Sequence, residues 1–190
     1  MNKSQVNEKI NRLCADKNIS VAELSTRSGF SESQIDSILK SETVPSLAVL
    51  LKISRALGVR LGTLLDDSDT LGPIVNTLAD NQQAVSFSSQ LSNTNSHLDF
   101  YTLAAGKANR HMEPFIIDIQ PSLKEEPILS THEGEEFIYV LEGVVKITYG
   151  KNSYCLSQGE SMYYDSIVPH LVASGNEAAA KILAVVYSPF

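Results

Sequence analysis

The sequence predicts two domains, an all-α bundle of five helices followed by an all-β barrel. In the first 65 residues, apolar side chains recur at helical spacing, whereas short runs rich in β-branched and aromatic residues recur from residue 98 onward. Between these regions an acidic run ends at Gly72-Pro73, a pair that interrupts regular structure. We therefore expect a first domain over residues 1–68, a linker over 69–96 and a second domain over 97–190.

Composition and charge agree with this division. The chain has 190 residues, of which 43% are hydrophobic, enough for the cores of two small domains. Its net charge is −7, yet residues 1–65 carry +3 and residues 66–190 carry −10. A mildly basic first domain joined to an acidic second domain indicates that the first domain is the one that can approach a polyanion.

Cysteine usage and the absence of long apolar runs indicate the compartment. Cys14 and Cys155 lie far apart and form no C-x-x-C pair, as expected in a reducing cytoplasm. No apolar run approaches the ~20 residues that cross a bilayer, and the polar residues 1–8 do not form a signal peptide. The sequence therefore predicts a cytoplasmic protein with no membrane partner.

Apolar spacing and capping residues place the five helices. Ser20 with Glu23 forms a capping-box pattern, Ser31 is the next N-cap, and Gly58 is a C-terminal cap. The predicted helices cover residues 3–17, 21–28, 32–40, 47–57 and 61–65. The second and third are short and joined by a tight turn at Gly29-Phe30, which predicts a helix-turn-helix whose second helix enters the major groove of DNA.

This layout resembles the lambda-repressor-like (XRE) family over residues 5–65. The resemblance rests on Ala22-Glu-Leu-Ser, Gly29-Phe-Ser and Pro45-Ser-Leu. One departure is Leu39-Lys40-Ser41, where that family often has Glu-Arg-Gly. The resemblance implies a DNA-binding domain, and its net charge of only +3 favours binding as a homodimer.

Exposed polar residues of the third helix are the candidates for reading operator DNA. A Gln side chain can bond adenine through two atoms and Ser can address several base edges, so we expect base contacts from Ser33, Gln34 and Ser37. Helix starts and cations suit phosphates, and the expected phosphate contacts are Ser20, Arg27, Ser31, Lys40 and Thr43. The alternative is that these residues are the solvated face of a small bundle.

Residues 129–170 carry two further motifs. His132, Glu136 and Gly143 match the first conserved motif of the cupin family, and Gly159 and His170 match the second at the family's separation. The resemblance implies a double-stranded β-helix (cupin) barrel. The match has departures at four positions, where the family has His, Pro, Gly and Asn and this chain has Ser130, Asp165, Ile167 and Ser174.

His132, Glu136 and His170 are the candidate metal ligands. Residues four apart on a straight strand lie about 13 Å apart, so a turn at Gly134 has to bring His132 to Glu136. With His170 from a neighbouring strand they would form a 2-His-1-carboxylate site, suited to Fe and also open to Zn, Mn or Ni. The alternative is a hydrogen-bonded pocket floor without an ion, in which Glu136 orients His132.

Side chains around this site are candidates for binding a small molecule. Alternate strand residues point inward, and the candidates are Tyr101, Arg110, His111, Ser130, Tyr139 and Tyr163. Arg110 suits a carboxylate or phosphate, so we expect an anionic effector. The alternative is that the arginine lies at the surface and the aromatic residues are packed.

Taken whole, the chain resembles the XRE-cupin regulators. The resemblance implies a DNA-binding transcriptional regulator whose barrel senses a small molecule and does not catalyse a reaction. The rival is an enzyme, because the hydroxypropylphosphonate epoxidase family has the same domain order and a His-x3-Glu plus distant His triad on mononuclear iron. Another cupin enzyme with a relic helix-turn-helix domain is the third possibility.

Overall fold

The computed structural model describes residues 3–40, 44–65, 72–77, 85–87, 98–107, 110–121 and 129–189. The first region forms a bundle, called the head below, of α1 (Lys3–Asp16), α2 (Val21–Ser28), α3 (Glu32–Lys40), α4 (Leu47–Leu57) and α5 (Leu61–Leu65). Among these described helices, none combines the length and apolar character that crossing a membrane requires.

The core of the head is formed by the inward stripes of its helices. Each helix contributes at least one side chain that is 0% exposed: Ile10, Leu24, Ile35, Leu50 and Leu64. Helices this short are marginal in isolation, so burial of these stripes holds them together. Gly29 ends α2 in the left-handed conformation, with φ 75°, which turns the chain into α3.

The second region forms two antiparallel sheets. The described strands are β1 (Val85–Phe87), β2 (Leu98–Thr102), β3 (Met112–Ile119), β4 (Glu135–Glu142), β5 (Val144–Tyr149), β6 (Asn152–Ser157), β7 (Ser161–Asp165), β8 (His170–Ser174) and β9 (Ala180–Tyr187). One sheet has the order β1-β2-β3-β9-β4-β7 and the other β6-β5-β8. Alternate residues of β3 and β9 are buried, so one face of the larger sheet covers the core. The predicted fold class, a helical bundle followed by a cupin-type barrel, is confirmed.

The segment between the regions contributes to the barrel. β1 lies inside the predicted linker and pairs with β2. The predicted boundaries at residues 68 and 96 fall outside the described residues and stay a prediction.

The head packs directly on the barrel through α5. A Cβ on Gly62 would lie 2.8 Å from the guanidinium carbon of Arg110 and 3.0 Å from Glu113 Oε1. Arg110 and Glu113 are buried, and Arg110 Nε donates to Glu113 Oε2 at 2.8 Å. Because Gly62 has no side chain, α5 can approach this buried ion pair closely.

Candidate functional site

Three polar side chains are buried together where the two sheets of the barrel meet. His132 precedes β4, Glu136 lies on β4, and His170 begins β8 of the smaller sheet. Their exposed fractions are 5%, 7% and 3%. His132 Nε2 lies 2.7 Å and His170 Nε2 3.4 Å from the same oxygen, Glu136 Oε1. The structure thus brings together the three residues predicted as metal ligands, which are called the cluster below.

A turn at Gly134 lets His132 and Glu136 meet. Its φ is 104°, which L side chains rarely adopt, and a Cβ there would lie 2.0 Å from the carbonyl oxygen of Tyr187. Hydrogen bonds to Ser166 fix the turn on both sides, because its carbonyl accepts from His132 N at 3.0 Å and its amide donates to the Gly134 carbonyl at 2.9 Å. A glycine is therefore required at this position.

Backbone carbonyls orient both imidazoles. His132 Nδ1 lies 3.0 Å from the carbonyl oxygen of Glu133, and His170 Nδ1 lies 2.9 Å from that of Val168. A carbonyl oxygen only accepts, so each Nδ1 carries a proton and each Nε2 faces Glu136. Burial lowers the pKa of His170, but the hydrogen bond to Glu136, the charge of Glu136 and the hydrogen bond to the Val168 carbonyl together outweigh burial and raise this pKa above its usual value.

Tyr164 completes the surroundings of Glu136. The two residues are cross-strand partners on β7 and β4, and the Tyr164 hydroxyl donates to Glu136 Oε2 at 2.5 Å. Burial raises the pKa of Tyr164 and the Glu136 charge raises it further, which keeps the phenol a donor. Burial alone would raise the pKa of Glu136, but hydrogen bonds from His132 and His170 outweigh it and hold this pKa well below its usual range. Glu136 is therefore a buried carboxylate with bonds at both oxygens.

The donor set of the cluster is compatible with one divalent metal. One ligand atom from each residue lies within 4.8 Å of the others. Ligand bonds of about 2.0–2.2 Å place neighbouring ligand atoms roughly 3.0–3.5 Å apart, close to the observed separations from Glu136 Oε1. Metal-binding histidines usually donate their second ring nitrogen to a carbonyl or carboxylate, as both do here. Without an ion, the contacts of Glu136 Oε1 with His132 Nε2 and His170 Nε2 hold the three side chains together.

The structure does not bring the three predicted tyrosines to the cluster. Strand side chains alternate, so a residue three positions from Glu136, such as Tyr139, faces outward, and it is 38% exposed. Tyr163 is 63% exposed on the outer face, where its hydroxyl bonds to Glu135, and its inward neighbour Tyr164 contacts Glu136 instead. Tyr101 lies on the face of β2 opposite the buried Phe100. Alternation counted from Glu136 would have excluded Tyr139 from the sequence, whereas Tyr164 follows from the pairing of β4 with β7.

The remaining ligand candidates lie in different places. Arg110 is buried against Glu113 at the contact with α5, and His111 is exposed beside it. Ser130, which replaces a family histidine, forms an antiparallel bridge with His170: Ser130 N donates to the His170 carbonyl at 2.7 Å, and His170 N to the Ser130 carbonyl at 2.9 Å. Of these three residues, only Ser130 lies beside the cluster.

Exposed polar side chains cover the outer face of α3. Ser33, Gln34 and Ser37 are all exposed, as base-reading residues have to be. Gln34 Oε1 accepts from Ser31 N at 2.9 Å and Ser31 Oγ accepts from Gln34 N at 3.2 Å, which is a reciprocal capping box. Gln34 thus also caps its own helix, and the Ser-x-x-Gln spacing of residues 31–34 is typical of such a capping box.

The candidate phosphate residues have mixed surroundings. Ser20 Oγ accepts from Glu23 N at 3.2 Å, and Lys40 Nζ pairs with Asp36 at 3.0 Å. Arg27 pairs with Glu23, donates to the Ala56 carbonyl at 3.4 Å, and faces the barrel across a cavity. Ser31 caps α3, and Thr43 lies outside the described residues.

A second contact between head and barrel lies beside the cluster. Arg55 of α4 forms an ion pair with Glu133, the residue that follows His132. Around this pair α2 and α4 of the head and the ends of barrel strands enclose a cavity of about 230 Å³, and His132 lies in its wall. The sequence did not predict Glu133 and Arg55 as site residues.

Comparisons with known proteins agree with this architecture. Residues 9–69 match the family model of the Cro/C1-type HTH DNA-binding domain, and residues 115–186 match the model of the cupin domain. A comparison with curated protein sequences gives no match.

Solved structures resemble the whole chain. An HTH_3 family transcriptional regulator from Vibrio cholerae is 23% identical with a TM-score of 0.70, over 100% of this chain and 98% of that one. Fe(II)-HppE with an alternative substrate is 21% identical with a TM-score of 0.51, over 98% and 99%. The hydroxypropylphosphonic acid epoxidase from S. wedmorenis is 22% identical with a TM-score of 0.49, over 97% and 98%. At these identities the likeness to the first two structures shows a shared fold.

Proposed function

Because the chain joins a Cro/C1-type helix-turn-helix DNA-binding domain to a cupin domain, we propose that it is a one-component transcriptional regulator. The head binds operator DNA, and the barrel senses a small molecule. A ligand changes DNA affinity by binding more tightly to one of two arrangements of head and barrel.

A short connection from the cluster to the head supports this proposal. His132 Nδ1 donates to the Glu133 carbonyl, and the Glu133 carboxylate pairs with Arg55 of α4. In turn, α4 packs against α2, the first helix of the helix-turn-helix. A ligand or metal that moves His132 therefore acts on Glu133 and, through Arg55, on the head.

On the DNA side, α3 enters the major groove with its exposed face. Ser33, Gln34 and Ser37 contact base edges, and the phosphate contacts come from Ser20, Arg27, Ser31, Lys40 and Thr43. The exposure of Ser33, Gln34 and Ser37 supports this assignment.

On the barrel side, His132, Glu136 and His170 hold one divalent metal of the Fe, Zn, Mn or Ni class. A bound metal supplies a Lewis-acidic position for an anionic effector. Tyr164 holds the Glu136 carboxylate in place from its second oxygen, and the carbonyls of Glu133 and Val168 hold the imidazoles. Elemental analysis of protein purified without chelators tests this site, and His170→Ala is expected to abolish metal binding.

A second copy of the chain completes the regulator. Apolar side chains are exposed on the outer face of four neighbouring strands, β3, β9, β4 and β7: Met112 (61%), Tyr187 (39%), Tyr139 (38%) and Tyr163 (63%). Such patches mark protein interfaces, and a dimer would pair two heads on one operator. Tyr163→Glu is expected to shift the molar mass measured by light scattering towards the monomer.

Selection of genomic fragments followed by titration tests DNA binding. Ser37→Glu places a negative charge on the outer face of α3, so we expect it to weaken binding to a selected fragment by at least about a hundredfold, because like charges brought together cost several kcal/mol. Ser153→Glu makes the same change on exposed β6 and is expected to leave binding unchanged. Equal losses in both variants, or failure to select any fragment, would contradict the proposal.

The cluster also favours a second function, that of a mononuclear iron oxygenase. Its three-residue donor set leaves coordination positions open, a requirement for oxygen chemistry on iron. Oxygen consumption by the Fe(II)-loaded protein with an organic phosphonate tests this alternative. The regulator predicts no turnover above that of the His170→Ala variant.

A further inference from the structure

The cavity between head and barrel has walls of unlike charge. Its head side carries Arg27 of α2 with Lys52 and Arg55 of α4, and its barrel side carries the single carboxylate of Glu133. The lining therefore has a surplus of two positive charges. In a chain of net charge −7, three cations around one small cavity are a local exception.

The present partners of these cations are exchangeable. Arg27 pairs with Glu23 and Arg55 with Glu133, and the four side chains are between 36% and 54% exposed. Ion pairs this exposed are weak because water screens both charges, so a better-placed anion can replace either carboxylate. Lys52 lies 5.6 Å from the ring centre of Phe30, an aromatic contact that leaves its three donors available to an anion.

We propose that this cavity binds a small organic anion through a carboxylate or phosphate group. The planar guanidinium groups of Arg27 and Arg55 match either group with two parallel hydrogen bonds, and Lys52 adds a point charge. Leu51 and Ile167 line the same cavity and offer apolar contact to a carbon skeleton. A volume of about 230 Å³ is below the roughly 300–1,000 Å³ of sites for drug-sized ligands, so the anion is a small metabolite.

The anion changes the contact between head and barrel. It contacts cations on α2 and α4, and because it replaces Glu133 as the partner of Arg55, its binding weakens the ion pair that joins α4 to the barrel. Anion binding itself does not depend on the regulatory role, whereas its effect on DNA affinity rests on the proposed function. By linkage, operator DNA and the anion then change each other's affinity by the same factor.

Calorimetric titration of the full-length, metal-free protein tests the site without DNA. The probes are inorganic phosphate, succinate and the neutral analogue succinamide. We expect saturable binding of at least one anion and none of succinamide. Lys52→Gln and Arg55→Gln are each expected to weaken binding about tenfold, because each removes charged hydrogen bonds, and Lys52→Arg is expected to retain it. Lys151→Gln, an exposed change at the turn before β6, is the control and is expected to bind as the wild type does.

The outcomes distinguish anion binding in this cavity from anion binding elsewhere, including at the cluster. Binding of phosphate alone or of succinate alone supports the site and identifies the class of anion. No saturable binding of either anion in the millimolar range overturns it. Equal affinities of wild type, Lys52→Gln and Arg55→Gln also overturn it, because the anion then binds elsewhere.

Discussion

The outer face of α3 and the interior of the barrel both carry polar side chains, in opposite surroundings. Ser33, Gln34 and Ser37 are exposed to solvent, whereas His132 and Glu136 are almost fully buried. Exposed polar groups exchange their hydrogen bonds with water at little cost, but a buried carboxylate depends on its protein partners. Changes on α3 should therefore alter binding more than folding, and changes in the cluster should alter both.

The largest effect is expected where a buried charge loses its partner. His132→Ala removes the 2.7 Å bond to Glu136 Oε1, and we expect the free energy of unfolding to fall by about 3–5 kcal/mol in the presence of a chelator. Urea unfolding of the full chain measures this. The exposed His111 is the matched control, and His111→Ala is expected to change stability by less than about 0.5 kcal/mol. Similar losses of unfolding free energy in the two variants would contradict the expected difference between a buried and an exposed histidine.

Two adjacent tyrosines, Tyr163 and Tyr164, lie on opposite faces of β7. Tyr164→Phe removes the buried hydroxyl that donates to Glu136 Oε2, and a hydrogen bond to a charged group is worth about 1.5–3 kcal/mol. Tyr163→Phe removes a hydroxyl that bonds to Glu135 on the exposed face, so we expect a change below about 0.5 kcal/mol. Urea unfolding of both variants measures the difference. A larger loss for Tyr163→Phe would reverse the assigned faces of β7.

The contact between α5 and the barrel permits a similar test with glycines. Gly62→Ala places a methyl group 2.8 Å from the Arg110 guanidinium, which cannot move without disturbing its buried bond to Glu113. Overpacking of this kind costs about 1–3 kcal/mol. A Cβ on exposed Gly72 would meet nothing within 4 Å, so Gly72→Ala is expected to be neutral or slightly stabilising. Thermal unfolding compares them, and equal melting temperatures would show that α5 does not pack as described.

The smallest change in stability is expected at the capping box of α3. Gln34→Ala removes the acceptor of the Ser31 amide in the capping box, and we expect a loss of about 0.3–1.5 kcal/mol. Gln34→Glu keeps an acceptor there and is expected to retain stability while losing the amide donor that reads adenine. Urea unfolding and titration with a selected DNA fragment separate the two roles. Stability lost equally in both variants would mean that the cap does not depend on this oxygen.

The sequence predicted the fold and the cluster well because both depend on local signals. Helical spacing and caps placed α1 to α5, and motif spacing selected His132, Glu136 and His170. The expected turn at Gly134 exists because only glycine tolerates its φ and the nearby Tyr187 carbonyl. These features need no knowledge of distant packing.

The surroundings of the cluster were harder to predict because they depend on strand parity and on domain packing. Tyr139 and Tyr163 were expected around the cluster. A separation of three residues from Glu136 turns Tyr139 outward, and the pairing of β4 with β7 places Tyr164 opposite Glu136. Arg110 was expected to bind the carboxylate or phosphate of a ligand, but α5 covers this side chain, which pairs with Glu113. The Arg55 contact with Glu133 joins residues far apart in sequence, and no local pattern indicates it.

The coupling of barrel to head is measured by the DNA affinity of the full-length protein with the cluster metal-loaded and metal-free. Fluorescence anisotropy with one selected fragment, and with metal content verified by elemental analysis, provides the two affinities. We predict a difference of at least about fivefold for the wild type, and a smaller one for Glu133→Gln, which removes the charge facing Arg55. Equal affinities of the metal-loaded and metal-free wild type would contradict the coupling of barrel to head.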